Sequence, residues 1–179
     1  MKKHSSILKM ILAALFLAMS YVMPFLTGQI PEIGARLCPL HIPVLLCGFI
    51  CGPVWGLAVG FAAPLLRSLT LGMPPLFPTA VCMAFELMAY GFVTGMMHKL
   101  LPRKKPFVYL SLITAMLAGR VVFGVCKMVC MGIVGTGYSF MLFIAEAFTN
   151  AIPGIILQIV LVPILVMVLD NTKILKLKD

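Results

Sequence analysis

Acidic side chains are scarce in this chain. Five Asp and Glu stand against fourteen Lys and Arg in 179 residues, and all charged residues together make up only 11%. A soluble domain carries about a quarter charged residues, so the scarcity excludes an ordinary water-facing globule. Catalytic signatures are missing as well: there is no GxxxxGKS/T phosphate loop, no HExxH and no GxSxG elbow. The six cysteines include no CxxC pair, which argues against a thioredoxin-like thiol couple. Strict apolar and polar alternation is also lacking, which sets aside an outer-membrane barrel.

What is present is hydrophobic. Apolar residues make up 62% of the chain and the mean hydropathy is +1.13. Lipid satisfies no backbone N–H or C=O group, so a chain of this composition must fold as an all-α bundle. With no long polar stretch, residues 1–179 read as one transmembrane domain. Clusters of Pro and Gly divide the apolar sequence into six runs, roughly at 8–26, 40–52, 54–71, 78–98, 106–130 and 139–169. The second is short for a span, which needs about 20 residues. Its helix is expected to start within "RLCPLHIPV" or to be tilted and partly unwound near Pro39 and Pro43. Gly52-Pro53 marks a tight turn into the third run. The basic, apolar N-terminus could serve as a signal peptide, but its apolar character continues through Tyr21 to Leu26, which favours a first transmembrane helix.

The net charge of +9 would suggest nucleic acid as a partner of a soluble protein. Here membrane topology accounts for it, and no nucleic acid is expected. Ten basic residues lie in three clusters: Lys2, Lys3 and Lys9; Lys99, Arg103, Lys104 and Lys105; and Lys173, Lys176 and Lys178. The positive-inside rule puts all three in the cytoplasm, and six crossings agree, with both termini cytoplasmic. The remaining turns, at 27–38, 71–78 and 131–139, then face outward.

Four basic residues fall outside these clusters: Arg36, Arg67, Arg120 and Lys127. A charge at the centre of a spanning helix costs about 2.5–3.5 kcal/mol on insertion scales, so such groups face an interior or a cavity. At a rise of about 1.5 Å per residue, Glu86, Arg120 and Asn150 share a level about 12–16 Å below the outer surface, and Arg67 and Lys127 lie at about 6 Å. Arg120 and Lys127, seven apart, fall on one helix face, as do Glu146 and Asn150, four apart. The expected site is a polar pocket in the outer half of the bundle formed by Glu86, Arg120, Asn150, Lys127 and Arg67. Gln158 adds a further polar group, and His41 acts either as a loop cap or as a ligand contact. An interhelical Glu86–Arg120 pair with no ligand is the structural alternative. The charges outside the cytoplasmic clusters leave one positive charge, which an anionic ligand such as a carboxylate would balance.

No metal is expected. Cys38, His41, Cys47 and Cys51 are loosely grouped, but no second ligand pair follows at zinc-finger spacing, and buried Cys commonly serves as a small hydrophobe. Cys126 and Cys130 lie four apart on a helix, where packing is again the simpler account. Ala14 and Ala18 form a small-xxx-small pair, which permits close approach of another helix.

The six-run plan, the short second run within "HIPVLLCGFICGPVWGLAVGF", the following "PLLRSLTLG" and the Ala14 and Ala18 pair together resemble the substrate-binding S components of energy-coupling factor (ECF) vitamin transporters. The resemblance covers essentially the whole chain. It implies a multi-pass protein of the cell membrane that is not an enzyme and binds a vitamin or its precursor from outside. It also implies docking, through Ala14 and Ala18, onto a transmembrane coupling subunit with two ATPase subunits. ATP would then be used by those partners, with no cofactor bound by this chain. The block "HIPV" at 41–44 resembles pantothenate-type members, and a pantothenate carboxylate could be held by Arg120 or Lys127. The competing reading is a stand-alone ion-coupled carrier or channel for a small anionic solute, with Glu86 as its protonation site.

Overall fold

The computed structural model describes residues 2–27, 37–102, 105–135, 137–149 and 151–171. Every regular element among them is helical. Helix α1 runs Lys2–Val22 and ends in a 3-10 turn, Met23–Thr27. Next come α2 (His41–Cys51), α3 (Pro53–Leu71) and α4 (Val81–Leu100), the last entered through a π-type turn at Leu76–Ala80. Helix α5 spans Lys105–Val134, α6 is a short helix at Phe140–Ile144, and α7 spans Ile152–Asn171.

Five helical segments are long and apolar enough to cross a membrane: Ser6–Phe25, Pro53–Leu71, Leu76–Leu100, Lys105–Val134 and Ile152–Leu169. These make the chain a multi-pass membrane protein. The second apolar run behaves differently. Helix α2 has 11 residues, about 16 Å of rise, roughly half the hydrocarbon thickness. All of its residues are buried, and it packs against α1, α3, α4 and α7. A helix walled in by protein has no need to match the bilayer. It begins at His41, so Pro43 falls in the first turn, where the backbone N–H groups have no intrahelical acceptor and proline is tolerated.

The expected turn between the second and third runs is present. Gly52 takes φ +94, a conformation that favours glycine, and Pro53 opens α3 at a position suited to its fixed φ. The last run, expected as one stretch over 139–169, is broken into α6, a π-type turn at Ala145–Thr149 and α7. Pro153 is the second residue of α7, a first-turn position that its fixed φ and missing N–H suit.

Helices α3 and α4 approach each other closely along small residues. A Cβ built on Gly56 would lie 2.5 Å from the Gly91 carbonyl oxygen, and one on Gly48 of α2 would lie 2.6 Å from the same oxygen. Three helices therefore lock together around Gly91, one turn and a half along α4 from Glu86. The main hydrophobic core includes Val44, Leu45, Phe49, Leu87, Tyr90, Leu112, Ala115, Val162 and Val166. Its centre is α2.

Candidate functional site

Glu86 on α4 and Arg120 on α5 meet in the interior, with Arg120 Nη1 2.9 Å from Glu86 Oε1. Both are almost fully buried, and the depth count that puts them at one level agrees with this contact. His41 opens α2 with its Nε2 3.6 Å from the same Glu86 oxygen, which is too long for a direct hydrogen bond. Tyr90, one turn after Glu86, places its ring edge-on to His41 at a centroid distance of 5.1 Å. Gly119, next to Arg120, leaves room for that ring, since a Cβ there would lie 3.1 Å from it. Cys38, in the turn before α2, completes the group. Burial pushes its thiol up to about 11, while the nearby Arg120 charge pulls it the other way.

These buried groups are not saturated with partners. Both ring nitrogens of His41, Tyr90 Oη, Arg120 Nε and Arg120 Nη2 have no hydrogen-bond partner among the described residues. Glu86 Oε1 also lacks a well-directed hydrogen bond, although it is ion-paired with Arg120. On α7, Gln158 is fully buried and neither amide atom is hydrogen-bonded among the described residues. Leaving one buried polar group unsatisfied costs about 1–3 kcal/mol. So many unsatisfied buried groups exceed what a purely structural pair requires, and those of His41, Tyr90 and Arg120 lie beside Glu86 where α2, α4 and α5 meet.

The free atoms of Arg120 define a direction. With Nη1 turned to Glu86, Nε and Nη2 form the side-on edge of the guanidinium, where two N–H groups point the same way. That edge matches a carboxylate in bidentate geometry.

The other sequence candidates are placed elsewhere. Lys127 Nζ lies 3.4 Å from Glu146 Oε2 and 5.7 Å from the centroid of the Phe123 ring. Tyr138 Oη donates to the same Glu146 oxygen at 3.0 Å. Burial, followed by this contact with the Glu146 carboxylate, raises the Tyr138 pKa. This second polar cluster ties the C-terminal part of α5 to the segment around α6. Arg67 Nη1 donates to the Tyr21 carbonyl at 3.2 Å, and its guanidinium stands 5.6 Å from the Phe25 ring centroid. It therefore serves the C-terminal end of α1, where unpaired carbonyls and the helix dipole favour a cation. Asn150 lies outside the described residues. Ala14 and Ala18 are exposed on α1, on the side opposite buried Ala13, Phe16 and Ser20.

Tyr90 and Cys38 were not singled out from the sequence as site residues. Tyr90 could have been found, because a residue four after Glu86 shares its helix face. Cys38 gave no such signal, since its approach depends on the turn that leads into α2.

No curated protein and no solved structure matches the chain. A family model described as the ECF transporter, substrate-specific component, matches residues 8–166. That range takes in every residue of the Glu86–Arg120 cluster and most of every long helix. The chain belongs to the family of ECF transporter substrate-specific components.

Proposed function

We propose that this protein binds a vitamin or vitamin precursor from outside the cell membrane and delivers it inward together with an ATP-driven ECF module. The observation that carries the reading is the buried Glu86–Arg120–His41 cluster with its unpaired donors. Glu86 holds one end of Arg120 and orients the guanidinium. The free Nε and Nη2 edge takes a ligand carboxylate, and Tyr90, His41 and Gln158 supply hydrogen bonds to hydroxyl or amide groups. Pantothenate, which offers a carboxylate, hydroxyls and an amide, fits this donor set. Lys127 with Glu146 closes the outer side of the bundle rather than holding the cargo. Asn150 is kept as a further candidate contact on the sequence reading alone.

In this reading the chain binds no cofactor. ATP is consumed by two ATPase subunits that act through a transmembrane coupling subunit, which docks on the exposed α1 face bearing Ala14 and Ala18. With the short helix α2 counted as a sixth crossing beside the five long spans, the topology has both termini and the loop between α4 and α5 in the cytoplasm.

Isothermal titration of the detergent-solubilised protein against a vitamin panel tests the cargo. Binding of pantothenate, with a large loss on amidation of its carboxylate, is expected, and absence of heat with pantothenate would remove it. The carrier reading is separated by reconstitution. Uptake into vesicles should require the coupling subunit, the ATPases and ATP, whereas uptake by this chain alone would favour an ion-coupled carrier with Glu86 as its proton site.

A further inference from the structure

We propose that Cys82, Cys126 and Cys130 form a three-sulfur binding site for a monovalent thiophilic cation, with Cu(I) as the natural ion. Their Sγ atoms all lie within 4.8 Å of one another. Cys82 is the second residue of α4, and Cys126 and Cys130 are one turn apart near the far end of α5. The packing of α4 on α5 therefore assembles the group from positions distant in sequence. Cys82 and Cys130 are buried, Cys126 is half-buried, and Phe123 packs in the same small cluster.

The spacing suits coordination. Three sulfurs on a triangle with edges no longer than 4.8 Å lie at most about 2.8 Å from its centre, and a metal–thiolate bond is about 2.3 Å. Each sulfur need move inward by only about half an ångström to reach that bond length. Packing of cysteine as a small hydrophobe fills volume but gives no reason for three sulfur atoms to converge. Ligand number then selects the ion. Among the described residues no fourth Cys, His, Asp or Glu joins the group, whereas structural zinc sites almost always take four protein ligands and three-ligand zinc sites keep a water in the fourth position, which an apolar cluster closed by Phe123 does not favour. Soft thiolates alone, in a three-coordinate set, favour Cu(I). Loading exchanges thiol protons for the cation, so protons are released to the medium as the ion binds. The metal oxidation state does not change.

The test uses the full chain, purified in detergent under reducing and anaerobic conditions, with Cu(I) supplied from a chromophoric Cu(I) chelator. The protein is expected to withdraw a single equivalent of Cu(I), with a near-ultraviolet sulfur-to-copper absorption band and proton release. Cys82→Ser and Cys126→Ser should each weaken binding by more than about 100-fold, beyond the 10- to 100-fold typical of changes outside the ligand set. A Cys38→Ser, Cys47→Ser, Cys51→Ser variant should keep the equivalent. Each variant is compared at unchanged helical circular dichroism, and half-buried Cys126 supplies the readout if the change at buried Cys82 prevents folding. Retention of copper by Cys126→Ser, its loss from the triple variant, or displacement of Cu(I) by equimolar Zn²⁺ would overturn the assignment.

Discussion

Arg120 holds two relationships at once, and they can be separated by substitution. Nη1 faces Glu86, while Nε and Nη2 are free for a ligand. Lysine at this position keeps the charge on a single ammonium nitrogen but loses the planar side-on edge, so it is not a conservative change. Arg120→Lys should weaken binding of a carboxylate vitamin by about 1.5–3 kcal/mol, the range for hydrogen bonds to charged groups. Titration calorimetry measures this, and the melting temperature should fall only slightly because Glu86 keeps a cation nearby. Glu86→Gln acts differently. It leaves the Arg120 charge buried and unpaired, which destabilises by about 3–5 kcal/mol. A thermal melt in detergent should show that loss, and saturating ligand should recover part of it by binding only the folded state. Arg67→Gln provides the contrast: it frays the end of α1 and leaves vitamin affinity unchanged, and an affinity loss would place Arg67 in the binding site.

At the scale of elements, depth in the membrane depends on how helices touch. Gly56 of α3 and Gly48 of α2 both press on the Gly91 carbonyl, which fixes the level at which α4 presents Glu86. A methyl at Gly56 must displace backbone rather than a flexible side chain, so Gly56→Ala should cost about 1–3 kcal/mol as overpacking. Gly132 on α5 has nothing within 4 Å of a built Cβ, so Gly132→Ala should be neutral or stabilise by about 0.5–1 kcal/mol. Parallel thermal melts of the two variants check the pair, and equal melting temperatures would contradict the close-packed account. The helices themselves were largely legible in the sequence, because lipid demands continuous apolar runs and Pro and Gly punctuate them. Glu86 and Arg120 were legible too, since a charge in such a run needs an interior. The shortness of α2 was visible, but its complete burial was not, because hydropathy cannot distinguish a lipid-facing side chain from one packed on protein. The Cys82, Cys126 and Cys130 group was hidden for a related reason. Its members lie on two helices more than forty residues apart in sequence, and only the rotation of α4 against α5 brings the sulfurs together.

For the whole molecule the consequential surface is that of α1. One side packs inward through Ala13, Phe16 and Ser20, while Ile7, Met10, Ile11, Leu15 and Met19 are exposed with Ala14 and Ala18. Large apolar side chains on that side suit lipid equally well, so their exposure says little about a partner. The two alanines are different. Four apart on one face, they form a shallow strip where another helix could approach closely. Because neither alanine supports the interior, bulky replacements should leave the fold and the proposed vitamin site intact. Ala14→Trp and Ala18→Trp are therefore expected to bind vitamin with unchanged affinity in detergent while failing to co-purify with the coupling subunit and ATPases. In vesicles carrying the full complex, uptake should fall to background and ATP hydrolysis should lose its dependence on vitamin. Loss of affinity in the isolated variants would mean that α1 is turned the other way in the membrane. Full uptake would mean that the module engages another face.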